Sequence, residues 1–511
     1  MIKKKKNLHY IYIIIFFTFI LHLLSINFHP TNFEGGYGAF ANIFEQTDKL
    51  RFIESYYIAQ FNTYIFSGIA SIINEFFPFL NGYQSVKLLS ALGYFFLGLG
   101  ILNIFKFFDT KHSEFSIFLL IFFNSVIWSY GHRSFNDLFS FSIGIYFFSN
   151  ILIADNKKSF YLNIFFLGIA SIFKSYNLIL LIPILFNYFS KDRKSNLIDF
   201  NFFKIIIIFL LPYIVYHLIT FKYLGFLLAP KNEDLQIAII GNDSSRNISW
   251  VLNNFIFYLG YLTLITLPFS AIFFIKLNKT ISIKTIFIIL FLILFSVYFE
   301  KFLFISSELD LGPIQKYISP KLYKSIILLC FFIFNFIIYT FIQNKKFYEK
   351  VFDKYLILIF TIIFYLLALS FIKAAQRYLI LPLPFFLLFI FYVIQPRIMV
   401  ISMLVIYTFF NSFLFLNYYA TGKSTELIIN YLKEESIIED TIPGVITPHV
   451  YHLYNHCINL KPKSECSNFS NKAISISSPK YRVVYYKDNA IYSSNIKIFG
   501  INFKKYSVIN N

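Results

Sequence analysis

The sequence predicts an all-α polytopic membrane protein of about 13 transmembrane helices, followed by a small α/β C-terminal domain outside the cytoplasm. Three observations carry this. The 511-residue chain is 57% hydrophobic, with 71 Phe, 38 Tyr and a mean hydropathy of +0.64, where soluble domains hold about 45–50% apolar residues. Apolar runs long enough to cross a bilayer recur along it. The last 95 residues change character, alternating short apolar runs with polar turns. The expected domains are therefore a membrane domain, 1–416, and an external domain, 417–511.

The apolar segments fall at 8–28, 88–105, 115–128, 138–153, 160–173, 178–190, 205–221, 251–275, 285–299, 325–342, 355–372, 378–394 and 398–416. The first is too long for the apolar core of a signal peptide and has no small-residue cleavage site, so it reads as a span. With "MIKKKKN" in the cytoplasm and alternating segments, the cytoplasmic pieces hold 20 Lys and Arg in 58 residues. The opposite pieces before the tail hold 14 in 128. That is about a threefold density ratio in the direction of the positive-inside rule. Tyr57–Phe77 is apolar but interrupted by Gln60, Asn62, Asn74 and Glu75. A span there would invert every later sign, so it reads as helix lying on the outer surface. An odd helix count leaves the tail outside, in a bacterial periplasm or an ER lumen.

The tail begins helix-like at 424–434 and continues with strand-like runs, "YRVVYYK" and "AIYSSNIKIF". Cys330 lies within an apolar run and reads as inert. Cys457 and Cys466 lie nine apart in the tail and could pair outside the cytoplasm. The net charge of +19 sits in short clusters between apolar segments, a loop pattern and not a nucleic-acid surface. The partners this composition implies are a lipid bilayer and no nucleic acid.

Ionisable residues collect at helix ends on the expected outer side. They are His29 and Glu34 in "FHPTNFEGGYGAF", His132, Arg133 and Asp137 in "SYGHRSFNDLFSF", Lys174 in "GIASIFKSYN", and Lys373 with Arg377 in "FIKAAQRYLILPLPFF". A transporter more often carries such groups near the midplane on broken helices. Cations beside a carboxylate at an interface suit phosphate holding and proton transfer on a lipid-linked substrate. Each residue also has a plainer role: Arg133 and Asp137 as an i,i+4 pair, Lys174 as an interface lysine, Glu34 as a solvated loop acid. No metalloprotease, Cys-x-x-Cys or P-loop motif is present.

In order, the acid-bearing loop after the first span, the basic residue opening the second ("QSVKLLSALGYFFLGLG"), the Arg-and-acid turn, "LGIASIFKSYNLILLIPILF" and "QRYLILPLPFFLLF" resemble the GT-C superfold of integral membrane glycosyltransferases. These use polyprenyl-phosphate sugars; the family includes protein O-mannosyltransferase-like, aminoarabinose-transferase-like and GPI-mannosyltransferase-like enzymes. The likeness spans 8–416 and assigns no branch. It implies inverting transfer from a polyprenyl-phosphate sugar to a glycan, lipid or protein acceptor at the outer face. Glu34 would be the general base, with Asp48 as the second choice. Arg133, Lys174 and Arg377 would hold the donor phosphate, supported by His29, Tyr37, His132 and Asp137. Many members carry an Asp where this chain has Thr31, Asn32, Phe33 and Glu34. A divalent cation, Mg or Mn, would need Glu34 with Asp48 or Asp137. Other readings are a lipid-linked oligosaccharide polymerase or ligase, and a flippase or exporter without bond chemistry.

Overall fold

The computed structural model describes residues 2–28, 63–108, 114–131, 133, 135–191, 200–224, 248–266, 320–343, 352–371, 376–394, 399–442, 444–446 and 479–511. The helices are α1 (Ile2–Leu23), α2 (Thr63–Phe76), α3 (Gly82–Phe108), α4 (Glu114–Phe122), α5 (Ser125–Gly131), α6 (Asp137–Leu152) and α7 (Lys157–Phe173). They continue with α8 (Leu181–Lys191), α9 (Phe200–Leu224), α10 (Ile248–Leu264), α11 (Pro320–Gln343), α12 (Phe352–Leu369), α13 (Pro382–Ile394) and α14 (Met399–Glu434). Short 3-10 turns, Ser175–Leu180 and Gln376–Ile380, precede α8 and α13.

Twelve of the thirteen expected apolar segments lie on these helices; 285–299 lies outside the described residues. Among the described residues, four helices are long and apolar enough to cross a membrane on their own: Gly82–Phe108, Asn201–Ile219, Leu322–Tyr339 and Ile401–Glu434. Two of the expected runs are interrupted for local reasons. The run 115–128 splits at Asn124, whose side chain accepts from the Val126 amide at 3.0 Å and starts a new helix. The run 178–190 opens as a 3-10 turn before becoming α-helical.

Hydrogen bonds sort the helix ends into two groups. At one end, called here the Asp137 end, Ser90 donates to the Tyr130 carbonyl at 2.9 Å, Asn136 to that of Phe173 at 3.2 Å, and Asn254 to that of Ser370 at 3.1 Å. At the other, the Lys354 end, Lys354 donates to the Phe107 carbonyl at 2.7 Å and Asn103 to Asn150 at 2.7 Å. Tyr161 donates to Asn201 there at 3.3 Å.

The close of α1 and the opening of α3 both belong to the Asp137 end. Lys87 is buried and donates to the Ser25 carbonyl at 3.0 Å and to that of Phe28. Gln84 donates to Asn27 at 2.8 Å. Residues 25–28 and the opening of α3 thus lie at the same end. Between α1 and α3 in the chain, α2 has 14 residues, about 21 Å at 1.5 Å per residue, short of a bilayer core of about 30 Å. It packs Phe66 and Ala70 inward and leaves Phe76, Phe77 and Phe79 exposed.

Helices α3 and α6 pack closely along their length. A Cβ on Gly93 would lie 2.9 Å from the Phe139 backbone, and one on Gly100 3.1 Å from the Tyr146 amide nitrogen. Small residues allow this approach, since packing rather than water exclusion drives helix association in lipid. A continuous apolar core runs through the bundle, and Cys330 is buried and free within it.

The expected boundary at 416/417 is not a break. α14 runs unbroken for 36 residues, about 54 Å, leaving the bundle as the spine of the C-terminal unit. Against it lies a sheet of order β1-β2-β4-β3, made of β1 (Thr441–Ile442), β2 (Tyr481–Tyr485), β3 (Tyr492–Ile498) and β4 (Ile501–Asn510). β1 pairs parallel with β2; β2–β4 and β3–β4 are antiparallel. Ile428, Ile429 and Leu432 of α14 pack on Val483, Tyr506 and Val508. The two strand-like runs in the sequence became β2 and β3. Cys457 and Cys466 lie outside the described residues.

Candidate functional site

Three chain turns meet at the Asp137 end. The first opens α6: Asp137 stands in its first turn, where a negative charge is favoured by the helix dipole. The second closes α7: Lys174 turns extended (φ −152°, ψ 109°) and ends the helix. The third is the 3-10 turn carrying Arg377 and Tyr378. Asn177 locks the first two together, donating to the Ser140 carbonyl at 3.0 Å and the Ala170 carbonyl at 2.9 Å.

Lys174 Nζ lies 2.8 Å from Asp137 Oδ1, and both side chains are 1% exposed. It also donates to Asn136 Oδ1 at 3.4 Å. The rings of Phe141, Tyr176 and Tyr378 surround the ammonium at 5.9, 5.9 and 5.5 Å. Arg377 Nε approaches the same carboxylate at 3.9 Å and is 27% exposed. Its guanidinium lies over Phe135 at 5.5 Å and Tyr378 at 5.2 Å, and it donates to the Tyr378 hydroxyl at 3.4 Å. Tyr176 and Tyr378 meet edge to face at 4.8 Å. Asp137 Oδ2 is buried with no hydrogen-bond partner among the described residues.

A second basic group adjoins this one. Arg133 lies over Tyr130 and Tyr418, 5.7 Å from each ring, and Lys87 lies over the same Tyr418 at 5.4 Å. Tyr130 and Phe135, 5.9 Å apart, connect the two groups. Among the described residues they set four cations against one carboxylate, and Arg377 carries that positive excess toward the surface from a buried, charge-paired base.

The structure thus brings Arg133, Asp137, Lys174 and Arg377 to one end. The Arg133–Asp137 helical pair does not form: α6 begins only at Asp137, so no helical turn separates the two. Asp137 pairs with Lys174 and Arg377 instead. Lys174 is no interface lysine, for its ammonium is inside the protein. Glu34, Asp48, His29, Tyr37, His132 and Lys373 lie outside the described residues. Lys87 was legible only as the basic residue opening the second span, and its signal is a lysine within an apolar helix. His22 gave no signal beyond being polar in a span. It is buried, with Nδ1 2.8 Å from the Thr18 carbonyl and Nε2 3.1 Å from the Tyr94 hydroxyl, a satisfied core histidine joining α1 to α3.

Asp137 does not fit a divalent cation, because two cationic side chains already share its carboxylate. Among the described residues no three His, Cys, Asp or Glu gather. Comparison of the chain with family models, with curated proteins and with solved structures gives no match.

Proposed function

We propose that the Asp137 end is the extracytoplasmic face of a membrane glycosyltransferase, and that its basic cluster receives the phosphate of a polyprenyl-phosphate sugar. The observation that carries this reading is the positive excess around Asp137, Lys174 and Arg377. A lipid-linked phosphate lies at the membrane surface, level with helix ends, and guanidinium groups bind it through strong charge-assisted hydrogen bonds. The rings of Phe135, Tyr130 and Tyr418 beside Arg377 and Arg133 offer apolar walls for a sugar face or an isoprenoid.

Arg377 and Arg133 are the groups that touch phosphate in this scheme. Lys174 acts one layer behind, pairing with Asp137, which in turn fixes the Arg377 guanidinium from its Nε side. Glu34 takes the proton of the acceptor hydroxyl as its oxygen attacks the anomeric carbon. The bond from that carbon to the phosphate oxygen breaks on the opposite face, and the lipid phosphate leaves with the electron pair. The anomeric configuration inverts. The arginines stabilise the charge that develops on the leaving phosphate.

The test is transfer from a polyprenyl-phosphate hexose by the full-length protein in proteoliposomes, compared with Glu34→Gln. Loss of turnover with retained polyprenyl-phosphate binding supports the reading. Binding without transfer by the parent protein, with movement of the lipid across the bilayer, would make it a flippase.

A further inference from the structure

We propose that the β3–β4 hairpin is a membrane anchor: its tip, Phe499–Gly500–Ile501, enters the lipid interface beside α14 and seats the C-terminal sheet on the bilayer. Phe499 is 89% exposed and Ile501 58%, two large apolar side chains at one tight turn. The turn is rigid, because Phe499 and Gly500 both take positive φ, 47° and 80°, the pattern of a two-residue hairpin loop matched to strand twist. A folded hairpin holding a phenylalanine in water with no cover is a surface looking for an apolar phase.

The contacts along α14 show where the tip goes. Tyr492 stacks on Tyr431 at 4.1 Å. Ser494 then meets Ser424, and Ile496 and Phe503 cluster with Ala420. Lys505 reaches Asn417. Each step along β3 toward the tip is a step down α14 toward the bundle. The bundle itself ends at that level: Phe28 at the close of α1 packs on Phe415 and Tyr419, with ring centroids 5.2 and 4.9 Å apart. The tip extends past Ile496 and Phe503 and so comes level with the helix ends.

The hairpin also lies on the lipid side of α14. At 100° per residue, Ala420, Leu416, Phe413 and Phe409 share one face, and Tyr418, Asn411 and Tyr407 lie on the opposite one. The second face is buried against the bundle, with Asn411 donating to the Phe123 carbonyl at 2.9 Å. The first carries the sheet above and exposed Phe409 and Phe413 below. The chain that hangs over the lipid is basic: residues 489–511 contain Lys497, Lys504 and Lys505 and no acid. Lys497, exposed and two residues from Phe499, is placed to meet anionic headgroups.

The experiment uses the full-length protein in vesicles of phosphatidylcholine with phosphatidylglycerol, some carrying brominated acyl chains. Phe499→Trp and Ile491→Trp are compared after subtracting the parent protein's own emission. Ile491 is exposed at the other end of β3, about 26 Å away along the strand. The expected result is blue-shifted emission from Phe499→Trp, quenched at least threefold more by bromolipid than that from Ile491→Trp. Adding Lys497→Glu should reduce that quenching. Equal, water-like emission from both variants would overturn the proposal. So would shielding of Phe499→Trp from both bromolipid and aqueous acrylamide, which would mean a protein partner. Both positions are exposed, so neither substitution threatens folding.

Discussion

Lys174 Nζ and Asp137 Oδ1 lie 2.8 Å apart, with each side chain 1% exposed, so the close of α7 and the opening of α6 are joined by a fully buried ion pair. Removing one partner leaves the other charge uncompensated, at a cost of about 3–5 kcal/mol, whereas removing both is far milder. Lys174→Met should therefore lower the unfolding midpoint in detergent strongly. Lys174→Met with Asp137→Asn should recover most of that loss. A double variant no more stable than the single one would mean that the pair is not the source of the effect.

Arg377 differs from Lys174 in having an exposed flank. A hydrogen bond to a charged group is worth about 1.5–3 kcal/mol. Arg377→Ala should thus weaken binding of a polyprenyl phosphate by about tenfold to a hundredfold while moving the unfolding midpoint little. Arg377→Lys should recover only part, since one ammonium cannot reproduce a two-pronged guanidinium contact. Titration of the purified protein with the lipid phosphate measures both. Unchanged affinity in Arg377→Ala would remove Arg377 from the proposed site.

Lys87 closes α1 from the neighbouring helix. Its ammonium meets the Ser25 and Phe28 carbonyls, just past the last turn of α1, where carbonyls lack intrahelical partners; the Ser25 carbonyl also accepts from the Phe28 amide at 2.9 Å. Lys87→Met keeps the apolar stem and deletes the donors. The expected outcome is faster amide hydrogen exchange over residues 24–28, with α3 itself unchanged. The segment bearing Glu34 starts one residue beyond Phe28, so transfer activity should fall with it.

The sequence made the helix positions legible because lipid demands long apolar runs, and twelve of thirteen expected segments carry helix. It also brought Arg133, Lys174 and Arg377 to one end through charge alternation. It could not show which cation meets Asp137. Spacing favoured Arg133, four residues away, but the helix that would pair them starts too late. Lys174 and Arg377 reach the carboxylate through tertiary packing that no local pattern records. The boundary placed at 416 falls inside α14. Apolar content falls there, but α14 continues because its next turns bury Ala420, Ser424 and Ile428 against the sheet.

Packing far from the charges also sets the site. Gly93 of α3 faces the α6 backbone, and a Cβ there would stand 2.9 Å from Phe139 Cα. Backbone cannot yield as a side-chain tip can, so Gly93→Ala must push α6 away from α3. α6 carries Asp137 two residues before Phe139, and its carboxylate would shift against Lys174 and Arg377. Displacements of about 1 Å can cost about a hundredfold in a positioned reaction. Gly98, on the same helix, is the control. A Cβ there meets the end of the Ile15 side chain at 2.4 Å and Phe122 Cζ at 3.2 Å, both able to move. Gly98→Ala should keep lipid-phosphate affinity within about twofold, and Gly93→Ala should lose about tenfold or more. Equal affinities in the two variants would show that the α3–α6 contact does not hold Asp137 in place.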